Sequence, residues 1–206
     1  MKDNAHGRQV PGFTLASQRG ARREPGGMSQ NPELRQLIPA EDIAERVAAL
    51  GKEIADATPE GELVVVGVLR GAFIFMADLV RALPRPHACD FLAVRSYGDA
   101  TESSGVVEIT SDLGLPIEGK HVLLCEDIVD TGLTLKYLRE LLQGRKPLSV
   151  RVCALLSKPS RRRVEVPVDF LGFEVADVFV VGYGLDAGQR HRHLPYIAEL
   201  VVPDQK

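Results

Sequence analysis

The stretch His121–Gln143, HVLLCEDIVDTGLTLKYLRELLQ, decides how the chain folds. Val122, Leu123, Leu124 and Cys125 form a short apolar run, the pattern of a central parallel strand covered on both faces. Two acids, Glu126 and Asp127, are expected to stop it. After Ile128 and Val129 come Asp130, Thr131, Gly132, Leu133 and Thr134, a tight turn rich in hydroxyls and backbone donors. Leu135, Leu138, Leu141 and Leu142 follow at helical spacing. A helix opening there presents unpaired N–H groups and the positive end of its dipole, which suits a phosphate. The two carboxylates lie at the carboxyl end of the strand, where open α/β sheets bind their ligands, and suit sugar hydroxyls or a metal. Asp and Thr at a helix start are usually only caps. Capping requires no pair of adjacent acids at a strand's end, and that pair favours the ligand reading.

The rest of the chain repeats this plan. Ile43, Val47, Leu50 and Ile54 recur at three- and four-residue steps after Pro39, with Glu41 and Asp42 in the first turn, which predicts a helix covering the sheet. Residues 62–69 read as a buried strand, Arg70-Gly71-Ala72 as a tight connection and residues 73–83 as a largely buried helix. Residues 90–97 are a further strand, with 106–110 its antiparallel neighbour. Between them SYGDATESSG, small and polar, reads as a mobile loop. Residues 149–157 form another strand, ending in Lys158-Pro159. Periodicity thus supports an α/β class built from βα units. No internal repeat is evident.

Composition sets the bounds. The 206 residues allow one domain with a substantial core, and 45% hydrophobic and 26% charged residues are globular values. Residues 1–27 hold five Lys or Arg against two acids, so the body carries a balance of −6 within the overall −3. An anion site in an acidic body needs local cations and metal rather than a basic protein field. The basic run Arg161, Arg162, Arg163 reads as a solvated loop rather than a nucleic-acid contact. Residues 1–32 lack a periodic apolar pattern and are expected to be a disordered extension, with residues 33–206 as the domain and Met28 as a candidate start. Cys89, Cys125 and Cys153 are odd in number and set among apolar residues. They read as buried free thiols in a reducing compartment, and with no signal-peptide or membrane pattern a cytoplasmic location is expected.

VLLCEDIVDTGLTL resembles the phosphoribosyl pyrophosphate signature of the type I phosphoribosyltransferases, and its Glu-Asp-Ile-Val-Asp-Thr-Gly form resembles the hypoxanthine-guanine branch. VGVLRGAFIFMADLV is similar to the family's pyrophosphate-binding loop, with Leu69, Arg70 and Gly71 at the positions that wrap the pyrophosphate. In the family the peptide before the basic residue can be cis. Gly71 allows backbone to approach an anion without a Cβ in the way. The loop after residue 97 matches the family's lid, with Ser96 and Tyr97 at its root. Lys158 stands where the family places the lysine that donates to the C6 oxygen of a purine. In VDFLGFEVADVFVVGYGLDAGQRHRHLPYIAEL, Phe179 resembles the aromatic that stacks on the base and Val180 the residue whose backbone reads its six-membered ring. Asp186 resembles the acid that holds a magnesium on the pyrophosphate, and Arg192 matches the second pyrophosphate cation. Ala187, His191 and His193 depart from the family pattern. His191-x-His193 alone lacks a third ligand and does not make a metal site.

The resemblance implies an open, mainly parallel sheet flanked by helices, with a small hood built from the N- and C-terminal segments. It implies transfer of a phosphoribosyl group from phosphoribosyl pyrophosphate to N9 of hypoxanthine or guanine, with Mg2+ as cofactor. Glu126 and Asp127 hold the ribose hydroxyls and, with Asp186, metal. Asp130 is the general base at N7, and Thr131, Gly132, Leu133 and Thr134 grip the 5′-phosphate. Family members commonly associate, so a dimer or tetramer is expected. Two alternatives stand beside this reading. One is a phosphoribosyl pyrophosphate-sensing regulator that binds nucleic acid, disfavoured by the acidic body. The other is a guanine- or xanthine-preferring transferase.

Overall fold

The computed structural model describes residues 33–97 and 106–201. The expected N-terminal extension, the candidate start at Met28 and the tip of the lid at 98–105 lie outside the described residues.

Six strands form the main sheet. They are β2 (Leu63–Leu69), β3 (Ala88–Tyr97), β4 (Val106–Ser111), β5 (His121–Val129), β6 (Ser149–Ser157) and β7 (Phe170–Glu174), in the order β4-β3-β2-β5-β6-β7. All neighbours pair in parallel except β3 with β4. Helices α1 (Ala40–Ala57) and α2 (Phe73–Ala82) pack on one face and α3 (Leu133–Gln143) on the other. Strand alternation explains the division. Leu63, Val65, Leu123, Cys125, Cys153 and Leu155 meet α1 and α2, which bring Ile43, Val47, Leu50, Ile54, Phe75 and Leu79. Val64, Val66, Val122, Leu124 and Val152 meet Leu135, Leu138 and Leu142 of α3.

Two readings of the sequence need correcting. Glu126 and Asp127 do not end β5, which continues to Val129. Pairing with β2 stops at Gly67↔Cys125, whereas pairing with β6 runs on to Val129↔Ser157, so the acids sit on a strand held along one edge and open along the other. Cys89 is exposed; only Cys125 and Cys153 are buried, and all three thiols are free. Cys89 and the exposed Phe91 lie on the same side of β3, next to the sheet's outer strand.

A second sheet of three strands is the implied hood. Its strands β1 (Glu33–Ile38), β9 (Ile197–Val201) and β8 (Val180–Val181) run in the order β1-β9-β8, all antiparallel. Neither β1 nor β9 was apparent as a strand in the sequence. The Tyr183 hydroxyl donates to Asp78 of α2 and ties the hood to the main body, and burial pushes the phenol above its usual range.

The chain leaves β2 toward β3 and returns to place β5 on the other side of β2. That reversal of winding opens a crevice at the carboxyl ends of β2 and β5. No helix among the described residues is long and apolar enough to cross a membrane.

Candidate active site

A cavity of about 630 Å³ lies in this crevice, lined by Leu69, Arg70 and Gly71 after β2, Arg95 and Thr110 from β3 and β4, Asp127 from β5, and Asp186, Gln189 and Arg192 from the hood. The Leu69–Arg70 peptide is cis. Gly71 has a reason beyond that given by the sequence. A Cβ there would fall 1.4 Å from Oδ2 of Asp127, so the space is already taken by a carboxylate of the site itself. On the hood side, a Cβ at Gly184 would fall 2.2 Å from the Gly71 carbonyl. The loop is therefore clasped between β5 and the hood.

Glu126 and Asp127 point to opposite faces of β5, as adjacent strand residues must. Asp127 enters the large cavity, whereas Glu126 lines a smaller hollow of about 80 Å³ with Ile128, Val129, Asp130, Thr131, Gly132, Thr134 and Leu135. The three carboxylates Glu126, Asp127 and Asp186 do not converge. Among the described residues no three or more His, Cys, Asp or Glu side chains gather closely enough to hold a metal by themselves.

The smaller hollow has a geometry that suits an anion. Gly132, at φ 85°, turns the chain from β5 into α3, a conformation that costs most residues their Cβ clearance. No side chain caps α3. Among the described residues the one side-chain contact to its first N–H groups is the Leu133 N–H donating to the Thr131 hydroxyl at 3.4 Å. Asp130 is not a cap either; its Oδ1 accepts from Nε of Arg161 at 2.9 Å. Arg161 and Arg162 are thus not simply solvated, whereas Arg163 is exposed. Arg161 pairs with Asp130 and Asp177, and Arg162 donates to the Ser157 hydroxyl at 2.8 Å.

Burial pushes Glu126 well above the usual carboxylate range, with the charge of Asp127 adding to it, and its buried Oε2 has no partner. Burial likewise pushes Asp127 up to about 6. The Ile128 N–H and Arg192 pull it back, and the charge of Asp186 pushes it further up. Two carboxylates facing one cavity, one of them short of a compensating cation, are a hard-oxygen donor set. It fits Mg2+, which takes one or two protein carboxylates and completes its shell with waters and substrate phosphates.

The cations are gathered by a residue that the sequence did not single out. Gln189 Oε1 accepts from Arg70 Nη1 and Arg192 Nη2, each at 3.2 Å, and its backbone N–H donates to Asp186 at 2.7 Å. Arg192 also pairs with Asp186 at 2.6 Å and donates to the Gly184 carbonyl at 2.6 Å. Gln189 sits at φ 67°, in a turn closed by mutual backbone bonds between Ala187 and Arg190. No sequence pattern reports such a conformation for a glutamine.

The expected base-side residues lie beyond the phosphate turn. Lys158 is buried at the end of β6, its N–H donating to the Val129 carbonyl at 3.0 Å. Phe179 leaves 56% of its surface exposed, a large apolar face with no cover. Val180 lies on the edge strand of the hood. Because Leu200 N–H donates to the Phe179 carbonyl, Val180 and Glu199 form a non-hydrogen-bonded pair, which turns the N–H and C=O of Val180 to the open edge. At the lid's root, the backbones of Ser96 and Tyr97 pair with Val107 and Val106.

The Phosphoribosyl transferase domain model matches residues 35–187. The hypoxanthine phosphoribosyltransferase of Salmonella typhimurium is 48% identical over 171 residues, covering 82% of this chain and 96% of that protein. The hypoxanthine-guanine phosphoribosyltransferase of Bacillus subtilis is 48% identical over 164 residues, covering 80% and 91%. Among solved structures, a hypoxanthine-guanine phosphoribosyltransferase of Bacillus anthracis superposes with a TM-score of 0.79 at 40% identity, covering 82% of this chain and 100% of that one. With sheet order, hood and sequence in agreement, the chain belongs to the phosphoribosyltransferase family, in its hypoxanthine-guanine branch and with the type I fold.

Proposed function

We propose that the protein is a purine salvage enzyme that transfers the 5-phosphoribosyl group of phosphoribosyl pyrophosphate to N9 of hypoxanthine, and of guanine, releasing pyrophosphate. The observation that carries this reading is the joining of two anion sites by one strand. Glu126 opens into the cradle at the start of α3, and Asp127, next to it, into the cavity that holds Arg70 and Arg192. A substrate with a phosphate at one end of a sugar and a pyrophosphate at the other fits that arrangement.

As the pyrophosphate leaves, positive charge develops on the ribose ring, so the site must hold the departing anion and supply a deprotonated base. Arg70 and Arg192 take the leaving charge. Thr131, Gly132, Leu133 and Thr134 hold the 5′-phosphate through hydroxyls and free N–H groups. Glu126 and Asp127 hold the ribose hydroxyls. Asp130 accepts the proton at N7, Lys158 donates to the C6 oxygen, Phe179 stacks on the ring and the backbone of Val180 reads its edge. Asp127 and Asp186 would hold Mg2+, which when bound would supply further charge neutralisation at the pyrophosphate. A lid rooted at Ser96 and Tyr97 excludes water during transfer.

Buried Cys125 and Cys153, both free, support a reducing, cytoplasmic setting. Self-association as a dimer or tetramer belongs to the same reading, and the exposed side of β3 at Cys89 and Phe91 is the surface to test by sedimentation. The regulator alternative is not favoured by the relatives, which are named as transferases. A steady-state comparison of hypoxanthine, guanine, xanthine and adenine with phosphoribosyl pyrophosphate and Mg2+ tests the function. Turnover of the 6-oxopurines is expected; no turnover of any base would return the sensor reading.

A further inference from the structure

Asp130 and Lys158, the two groups that face the N7 and C6 edge of the purine in the function proposed above, are joined by a chain of alternating charges. Arg161 Nε donates to Asp130 Oδ1 at 2.9 Å. Arg161 Nη1 lies 3.5 Å from Asp177 Oδ2, and Asp177 Oδ1 lies 3.9 Å from Lys158 Nζ. The backbone makes this chain short. Pro159–Arg161 is one turn of 3-10 helix whose Arg161 N–H returns to the Lys158 carbonyl at 3.1 Å. Lys158 N–H is bound to Val129 and Arg163 N–H to Thr131, so the turn is fastened on both sides of Asp130.

We propose that Arg161 and Asp177 are positioning residues, a strut that fixes the separation of Asp130 and Lys158 and thereby matches them to N7 and O6 of a 6-oxopurine. Stability does not account for the chain. The side chains of Arg161, Asp130 and Asp177 are 37%, 40% and 52% exposed, and ion pairs so open to water add little to folding. What the chain does remove is side-chain freedom at the two groups that meet the base. It does so without consuming them. Arg161 occupies one oxygen of Asp130 and leaves the other for N7. Asp177 spends one oxygen on each neighbour, and the ammonium of Lys158 keeps donors for O6. The strut therefore need not break when the base arrives. A 6-aminopurine would turn an N–H donor toward an ammonium drawn to that side by Asp177, so the same arrangement acts against adenine.

Steady-state kinetics of the full chain with phosphoribosyl pyrophosphate, Mg2+ and either hypoxanthine or adenine test the proposal. Arg161→Gln should lower kcat and raise KM for hypoxanthine, each by about five- to thirtyfold. KM for phosphoribosyl pyrophosphate should stay within about twofold, and the preference over adenine should narrow. Asp177→Asn should move the same quantities in the same direction, and keeps the question answerable if Arg161→Gln does not fold. The double variant should be no worse than the worse single one, because either change cuts the same chain. Unchanged base kinetics in Arg161→Gln, a lower KM for hypoxanthine, or a loss falling on the sugar phosphate would each overturn the strut. Wild-type protein that turns over neither hypoxanthine nor guanine would overturn the proposed function, and the strut with it.

Discussion

Gly71 and Asp127 occupy one another's space: a Cβ on the glycine would fall 1.4 Å from Oδ2 of the aspartate and 2.3 Å from its Cγ. Gly71→Ala must displace the carboxylate or the loop that carries Arg70. Displacements of about 1 Å in a reacting site cost on the order of 10²-fold, and that loss is expected in kcat/KM for phosphoribosyl pyrophosphate. Circular dichroism should show the fold retained, because the clash lies at the end of the sheet. An alanine variant with wild-type kinetics would mean that Asp127 has no positional role.

Asp130 is expected to move the proton. Asp130→Asn keeps the shape and removes the acceptor charge, so turnover should fall by about 10²–10⁴ while sugar-phosphate binding changes little. Calorimetric binding of phosphoribosyl pyrophosphate with Mg2+, measured beside kcat, separates the two. Undiminished turnover would refute the assignment.

Lys158 lies buried with only a distant acid, Asp177 at 3.9 Å, so its donors are available to a base. Lys158→Ala should raise KM for hypoxanthine by about 10- to 100-fold, as expected on losing a charge-assisted bond in a covered site. Discrimination against adenine should weaken in parallel. Unchanged affinity for the oxopurine would count against the role.

The buried acids give the free protein a pH signature. Folded Asp127 holds its proton to about pH 6, whereas the ordinary side chain titrates near 3.8. Between those values the folded state binds more protons than the unfolded one, so this group's contribution makes stability fall as pH rises through the window. Glu126, whose carboxyl burial also raises, contributes with the same sign. Denaturation in metal-free buffer from pH 4 to 7 should show a flatter profile for Asp127→Asn than for wild type. Binding of the magnesium substrate has the opposite sign, since it requires the ionised carboxylate. Its KM should rise as pH drops below about 6, and a flat KM would argue against Asp127 as a ligand.

Much of this was legible because β5 and α3 obey simple periodicities. The run from Val122 to Cys125 is buried on both faces, and Leu135, Leu138 and Leu142 do point inward. The acids were misread as strand breakers because charge usually ends a buried strand. Here β2 stops pairing first and leaves the acids an open edge. The hood was legible only through family likeness. β1 is mostly exposed and pairs with a strand more than 150 residues away, as in Glu33↔Val201, so no local pattern announces it. Gln189 and Arg161 escaped for the same reason. Each acts through partners distant in sequence, Arg70 in one case and Asp130 in the other.

The shared amide oxygen of Gln189 bears on the end of the catalytic cycle. Arg70 and Arg192 share the neutral Gln189 oxygen, and Arg192 is held besides by Asp186 and the Gly184 carbonyl, so the hood loop fixes the two guanidiniums relative to one another. In the function proposed above, a pyrophosphate group would compete with that acceptor for both guanidiniums. The amide would then favour release of the product by taking back the donors that the product gives up.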